Sequence, residues 1–198
     1  MLNCDLLLTE DILFNCADKP IKGIDGSKAV IINFNDIDRA STVVNGATIT
    51  DLVLKSGKTG FAVEWYKNLA SGNSAFAPNA EDIDGFTHSF LARLSASSAV
   101  NAERAKELKE GLFILVYETK YKGVNNLDAF KVAGFKNGLV LTEMVTDTNA
   151  NSGSSLFTLS TQEGNVEDFP FQVFLETDYD TTKATFDTLF VQEGVEQG

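Results

Sequence analysis

The chain has 198 residues, 43% hydrophobic and 22% charged, which suffices for one soluble domain with a substantial core and argues against disorder. Its formal net charge of -12 argues against a protein that grips nucleic acid by its phosphates, since that affinity comes from clustered Lys and Arg. No apolar run approaches the ~20 residues of a membrane-spanning helix, so no membrane association is expected.

Fifteen Phe and fifteen Gly beside three Pro, two Met and one Trp suit short strands joined by glycine turns, a bias toward β structure. The charge is uneven. Residues 146–198 hold Asp147, Glu163, Glu167, Asp168, Glu176, Asp178, Asp180, Asp187, Glu193 and Glu196 against Lys183 alone. Cys4 and Cys16, the only two cysteines, lack a second Cys or His pair to complete a zinc site, and they read as reduced thiols. Met1-Leu2-Asn3-Cys4 has no charged and apolar signal ahead of the Cys, so no secretion signal is expected.

In chain order, residues 1–28 carry Pro20, Gly23 and Gly26 and read as an irregular N-terminal arm. Residues 29–34, AVIINF, are an apolar run bounded by turn residues, the pattern of a buried strand, and the polar residues 35–39 interrupt it. Val43 and Val44 before Asn45-Gly46, then Thr48, Ile49 and Thr50, predict a hairpin, because Asn-Gly favours a type I′ turn. Residues 52–55 and 60–67 around Ser56-Gly57-Lys58 predict a second.

From Asn68 to Asp84 no period holds, and small residues, Gly and Pro78 dominate over a length unusual for a connection inside a compact domain. Phe76 in its middle has no evident face to bury it and reads as a docking residue.

Residues 85–122 read strand, helix, strand. Phe86, His88, Phe90, Ala92 and Leu94 form one face against Thr87, Ser89, Arg93 and Ser95, a half-buried strand. Ser97, Ser98 and Asn101 offer helix caps, after which Ala102, Ala105, Leu108 and Leu112 make a narrow apolar stripe predicted to lie on the sheet. Opposite it, Glu103 with Lys106 and Lys106 with Glu110 can pair, and Gly111 stops the helix. Phe113, Leu115, Tyr117, Thr119 and Tyr121 then face one way and Ile114, Val116, Glu118, Lys120 and Lys122 the other.

Residues 128–135 and 139–145 around Lys136-Asn137-Gly138 predict a third hairpin. Residues 146–155 are a second loop, 156–161 and 171–177 the last strands, with Pro170 starting the final one. Thr181 or Thr182 caps a short helix to Phe190, and residues 191–198 form a fraying tail. No repeat or second-domain boundary is visible, so one domain over 1–198 is expected.

Catalytic chemistry finds little support. The single His, His88, lies on the apolar face of its strand and reads as a satisfied core or interface residue. No P-loop, GxGxxG or HExxH occurs, and the serines at 95–98 lack elbow glycines. Asp147, Asn149 and Asn151 alternate like a calcium loop, but Thr158 stands where the bidentate Glu belongs and Gly153 comes one residue late, so Asx-turn chemistry is the better reading. One Trp and four Tyr offer few sugar-stacking platforms for a glycosidase. No enzyme activity, cofactor or metal is expected.

Two phrases carry a family resemblance: CADKPIKGIDGSKAVIINFNDID, and GFTHSFLARLSASSAVNAERAKELKEGLFILVYETKYKG followed by FKVAGFKNGLVL. They resemble tail tube-like structural proteins of tailed bacteriophages, those of Bacteroides phages among them, in style and order over most of the chain. The resemblance implies a mainly β fold, an antiparallel β-sandwich or barrel with one flanking α-helix. It also implies a homo-oligomeric ring of six or twelve copies in the virion, in contact with neighbouring tail, ring or portal proteins, through which DNA passes without specific binding. On that reading residues 68–84, marked by Asn68, Phe76, Pro78 and Asp84, form an inter-subunit arm. The acids Glu163, Glu167, Asp168, Glu176, Asp178 and Asp180 are expected to face the lumen, where they would repel the duplex. The alternative is a monomeric β-sandwich that binds carbohydrate or a host surface with loops at one end.

Overall fold

The computed structural model describes residues 8, 10–13, 19, 21–66, 69–78, 83–150 and 153–191. Cys4, Cys16, Asn68 and the tail at 192–198 lie outside them, and with them the readings made on the thiols and the tail. Among the described residues eleven strands occur, β1 (Ile24–Asn33), β2 (Val43–Asn45), β3 (Thr48–Asp51), β4 (Phe61–Glu64), β5 (Ser71–Ala77), β6 (Gly85–Leu94), β7 (Phe113–Thr119), β8 (Phe130–Ala133), β9 (Leu139–Thr146), β10 (Ser155–Thr161) and β11 (Gln172–Phe174). They join one mixed sheet in the order β2-β3-β11-β8-β7-β9-β10-β6-β5, with β1 on β7 and β4 on β1. The protein is mainly β, as its composition predicts, with two helices, α1 (Ala99–Glu110) and α2 (Tyr179–Asp187).

The organiser is β7 (Phe113–Thr119), buried on both faces from Phe113 to Glu118. It pairs antiparallel with β1 (Ile24–Asn33) on one edge, Val30 opposite Val116, and with β8 (Phe130–Ala133) on the other, Val116 opposite Val132. Since successive side chains of a strand point to opposite faces, two separate cores follow. On one side Phe113, Leu115 and Tyr117 meet Phe90 and Ala92 of β6 (Gly85–Leu94) and Phe157 and Leu159 of β10 (Ser155–Thr161). On the other, Ile114 and Val116 meet Phe130, Phe174 and Phe186. The layer β9-β10-β6-β5 is therefore packed over one face of the central strands, a sandwich made from one bent sheet.

The second face is closed by α2. Phe130 packs against the rings of Tyr179 at 5.8 Å and Phe186 at 5.1 Å. Asp178 caps this helix, its carboxylate accepting the Thr181 N–H at 2.8 Å, while Thr182 is fully buried and its hydroxyl donates to the Asp178 carbonyl. The cap predicted at Thr181 or Thr182 is thus displaced to Asp178, whose extended backbone suits the capping position better than a residue already in the helix. Beyond the helix Leu189 and Phe190 both take a φ of 59°, a strained left-handed turn held because Phe190 is wholly buried against Phe174 and the Leu189 carbonyl accepts the Gly60 N–H.

The predicted covering helix α1 has a lesser role. Its cap is as expected, with the Ser98 hydroxyl accepting the Asn101 N–H, and it ends at Gly111. Of its stripe, however, only Leu108 is buried; Ala102 is exposed and Ala105 half-buried. A single apolar anchor cannot cover a sheet face, so α1 lies beside β9 (Leu139–Thr146) at the margin, and its ion pair joins Arg104 to Glu107.

The predicted hairpin forms between β2 (Val43–Asn45) and β3 (Thr48–Asp51), but its turn is not the type I′ expected of Asn-Gly: Asn45 pairs with Thr48, the loop is Gly46-Ala47, and of the two only Gly46 has a positive φ, 57°. The second predicted hairpin does not. Leu52 and Leu54 turn into the core as irregular chain, and β4 (Phe61–Glu64) pairs with β1 instead. The N-terminal arm is shorter than expected, because β1 begins at Ile24, and Phe34 belongs to a 3-10 turn (Phe34–Asp36). The final strand is only β11 (Gln172–Phe174), parallel to β3, so the sheet is not purely antiparallel. The Asp147 carboxylate accepts the N–H groups of Asn149 and Ala150, the expected Asx turn, and no group of three or more potential metal ligands occurs among the described residues.

Phe130→Ala should cost about 3 to 5 kcal/mol in urea denaturation, the scale of a large buried aromatic. Val100→Ala on exposed α1 should stay within about 0.5 kcal/mol. Similar losses at both positions would overturn the account of which helix closes the core.

Candidate functional site

The open edges of the sheet are the most informative surface. Residues 71–77, expected to be loop, form strand β5 (Ser71–Ala77), antiparallel to β6 with Ser74 opposite His88 and Phe76 opposite Phe86. Small, weakly β-prone residues hid it. What makes the strand is the row of backbone partners on β6, and Gly72 in particular lets it close over the core, since a Cβ there would lie 2.4 Å from the Tyr117 hydroxyl.

The outer edge of β5 has a defined pattern. Phe86 exchanges both backbone hydrogen bonds with Glu167, on the side of β6 away from β5. Antiparallel geometry then makes Phe76 and Phe86 a non-hydrogen-bonded pair, so that Gly72, Ser74 and Phe76 turn their N–H and C=O groups outward. The strand carries no charge and no proline, and Pro78 follows directly after it. Phe76 packs edge-on against Phe86 at 5.9 Å yet remains 60% exposed. Two shorter edges show apolar residues too, Phe61 on β4 and Val43 and Val44 on β2.

Five of the six predicted acids separate into three situations. Glu163 and Asp180 are exposed. Asp168 is exposed but bound at 2.6 Å by Lys136, and Asp178 caps α2, where hydrogen bonds from the Thr181 backbone and side chain hold its carboxyl below its usual range. Glu176 is half-buried, and desolvation raises its pKa despite a hydrogen bond from Thr185 at 2.8 Å.

Glu167 departs from its expected place altogether. It is 2% exposed, and its two carboxylate oxygens accept the N–H groups of Lys136 at 2.8 Å and Asn137 at 2.9 Å, while the Asn137 side chain donates to the Val166 carbonyl. Arg39 sits between the rings of Phe34 and Phe135 and donates to the Phe135 carbonyl at 2.7 Å; burial lowers its pKa, partly offset by the charge of Glu167. His88 joins the same corner. Its Nδ1 accepts the Gly134 N–H at 3.1 Å, which leaves the proton on Nε2 to donate to the Phe169 carbonyl at 2.9 Å. His88 is therefore the satisfied core residue its strand position predicts.

These bonds explain why Lys136-Asn137-Gly138 makes a turn but no hairpin. β8 pairs with β7 and β11, whereas β9 pairs with β10 and meets β7 only where Phe113 faces Leu139. The turn carries the chain from one layer to the other, and Glu167 satisfies the backbone donors that a hairpin ladder would have used.

No family model, curated protein or solved structure matches this chain. Among the described residues no helix is long and apolar enough to cross a membrane.

Glu167→Gln places an amide NH₂ against one of the two turn N–H groups. It should cost about 1 to 3 kcal/mol in urea denaturation, the penalty of a buried unsatisfied donor. An unchanged midpoint would remove the carboxylate's role as clamp of the corner.

Proposed function

We propose that this chain is a virion structural subunit of the tail tube-like kind, assembling into a homo-oligomeric ring of six or twelve copies that lines or extends the DNA exit channel at the portal-tail junction. The observation that supports this reading is the outer edge of β5, which pairs with no strand among the described residues. Native monomers blunt their edges with charges, prolines, bulges or covering elements. Seven residues of uncharged strand, with three outward-turned backbone pairs and an exposed aromatic, are an edge built to receive another strand. Repeated around a rotation axis, such a head-to-tail contact closes into a ring. The expected inter-subunit arm thus becomes an inter-subunit edge, in which Phe76 rather than a mobile loop makes the contact and Pro78 and Asp84 flank the connection to β6.

The charge distribution supports the DNA-channel part of the proposal. A wall poor in Lys and Arg adds no counterion-release affinity, and exposed acid repels the duplex as it passes. Glu163, Asp178 and Asp180 are the exposed acids available for that wall, with Asp168 contributing less because Lys136 offsets it, and Glu167 not at all.

Asn73→Lys combined with Ala75→Lys should give a folded monomer by light scattering and circular dichroism, whereas the unmodified chain should form rings visible in negative stain. Rings from the double variant at the same protein concentration would rule out β5 as the seam.

Exchanging Glu163, Asp168 and Asp180 for Lys should let the assembled ring bind duplex DNA at low salt. Each phosphate that the new lysines neutralise should steepen the fall of log affinity with log salt by about 0.9. Unchanged binding would show that these acids do not line the path of the DNA.

A further inference from the structure

Between β5 and the β7-β8 pair, the apolar inter-layer core gives way to a cavity of about 510 Å³ whose lining includes Ser71, Ser74, His88, Tyr117, Lys131 and Phe171. Lys131 is the anomaly. Phe130 and Val132 face the α2 side, so strand alternation turns Lys131 toward the space between the layers, opposite Tyr117 in the β7-β8 register. Only 7% of the residue is exposed, and its ammonium lies 4.5 Å from the centre of the Phe171 ring.

Among the described residues this amine has no hydrogen bond and no ion pair. Asp128 acts on it only at long range, and burial lowers its pKa from the ordinary lysine value. In the same cavity wall the Ser74 hydroxyl is buried without a partner. Buried polar groups are normally hydrogen-bonded and buried charges paired. The cavity lining thus includes a cationic amine and a buried hydroxyl that make no hydrogen bond among the described residues.

We propose that this cavity binds a small carboxylate anion, its charge against Lys131 and one oxygen within reach of the Ser74 hydroxyl. A single cation matches a monoanion and would leave a phosphate dianion half neutralised. Tyr117, Ala133 and Phe171 supply apolar wall for a short hydrocarbon body, and the volume lies toward the lower end of the ~300 to 1,000 Å³ of small-molecule sites. The site belongs to the fold of a single chain, so it stands whether or not the chain forms rings.

The test is by NMR of protein labelled at lysine, with the Lys131 side-chain signal assigned by its loss in Lys131→Met. Sodium acetate and sodium propionate should move that signal saturably and raise the melting temperature of the unmodified protein. Sodium chloride at equal ionic strength should do neither, and Lys131→Met should lose the carboxylate-dependent rise in melting temperature. Ser74→Ala, which keeps the ammonium, should weaken propionate binding several-fold, and it carries the test if Lys131→Met does not fold. A Lys131 signal that stays still with both carboxylates, or that moves equally with chloride, would overturn the proposal.

Discussion

Every other element answers to the burial of β7 on both faces. A strand that presents Phe113, Leu115 and Tyr117 to one side and Ile114 and Val116 to the other cannot leave either side wet. The first side is covered by the sheet's own continuation through β9, β10 and β6, the second by α2 and the aromatic residues around it. At roughly 25 cal/mol per Å² of apolar surface, the aromatic clusters on both sides are the main source of cohesion. Hydrogen bonds fix where the strands lie rather than how strongly they hold.

Covering one face with the same sheet requires a sharp change of layer, and a change of layer strands backbone donors. Glu167 and His88 resolve this at residues 134–138, one with its carboxylate oxygens and the other with Nδ1. A buried carboxylate is costly unless its charge is met; here the two turn N–H groups donate to it and the guanidinium of Arg39 adds a nearby positive charge. A second buried acid follows the same logic. Glu118 is 6% exposed and bonded to Lys122 at 2.6 Å and to the Tyr179 hydroxyl at 2.7 Å. Burial opposes the charge on Lys122, but its bonds to Asp25, Glu118 and Tyr179 prevail and hold its amine above the usual lysine range. That cluster ties β1, β7 and α2 together where the apolar contacts end.

The bent sheet also decides what remains open. Closing a barrel would have joined β5 to another strand; instead β5, β4 and β2 each keep one edge unpaired among the described residues. The uncharged β5 edge and the polar-lined cavity behind it share the residues Ser71 to Ser74.

Much was legible from side-chain order alone. The alternation in β6, the two-faced run of β7, the hairpin around Gly46, the Ser98 cap and the core position of His88 all rest on interactions within a few residues or on a period that the strand or helix imposes. What the order could not convey was partnership across the chain. Residues 71–77 became strand because β6 lay beside them. Lys136-Asn137-Gly138 became a change of layer because Glu167, far along the chain, took its donors. The covering helix was α2 because Phe186 and Phe190 met Phe130 and Phe174 across the sheet. Acidity could be counted from the sequence, but its placement could not. Whether a carboxylate faces water, caps a helix or is buried under two N–H groups depends on contacts distant in sequence, and only the tertiary structure brings those together.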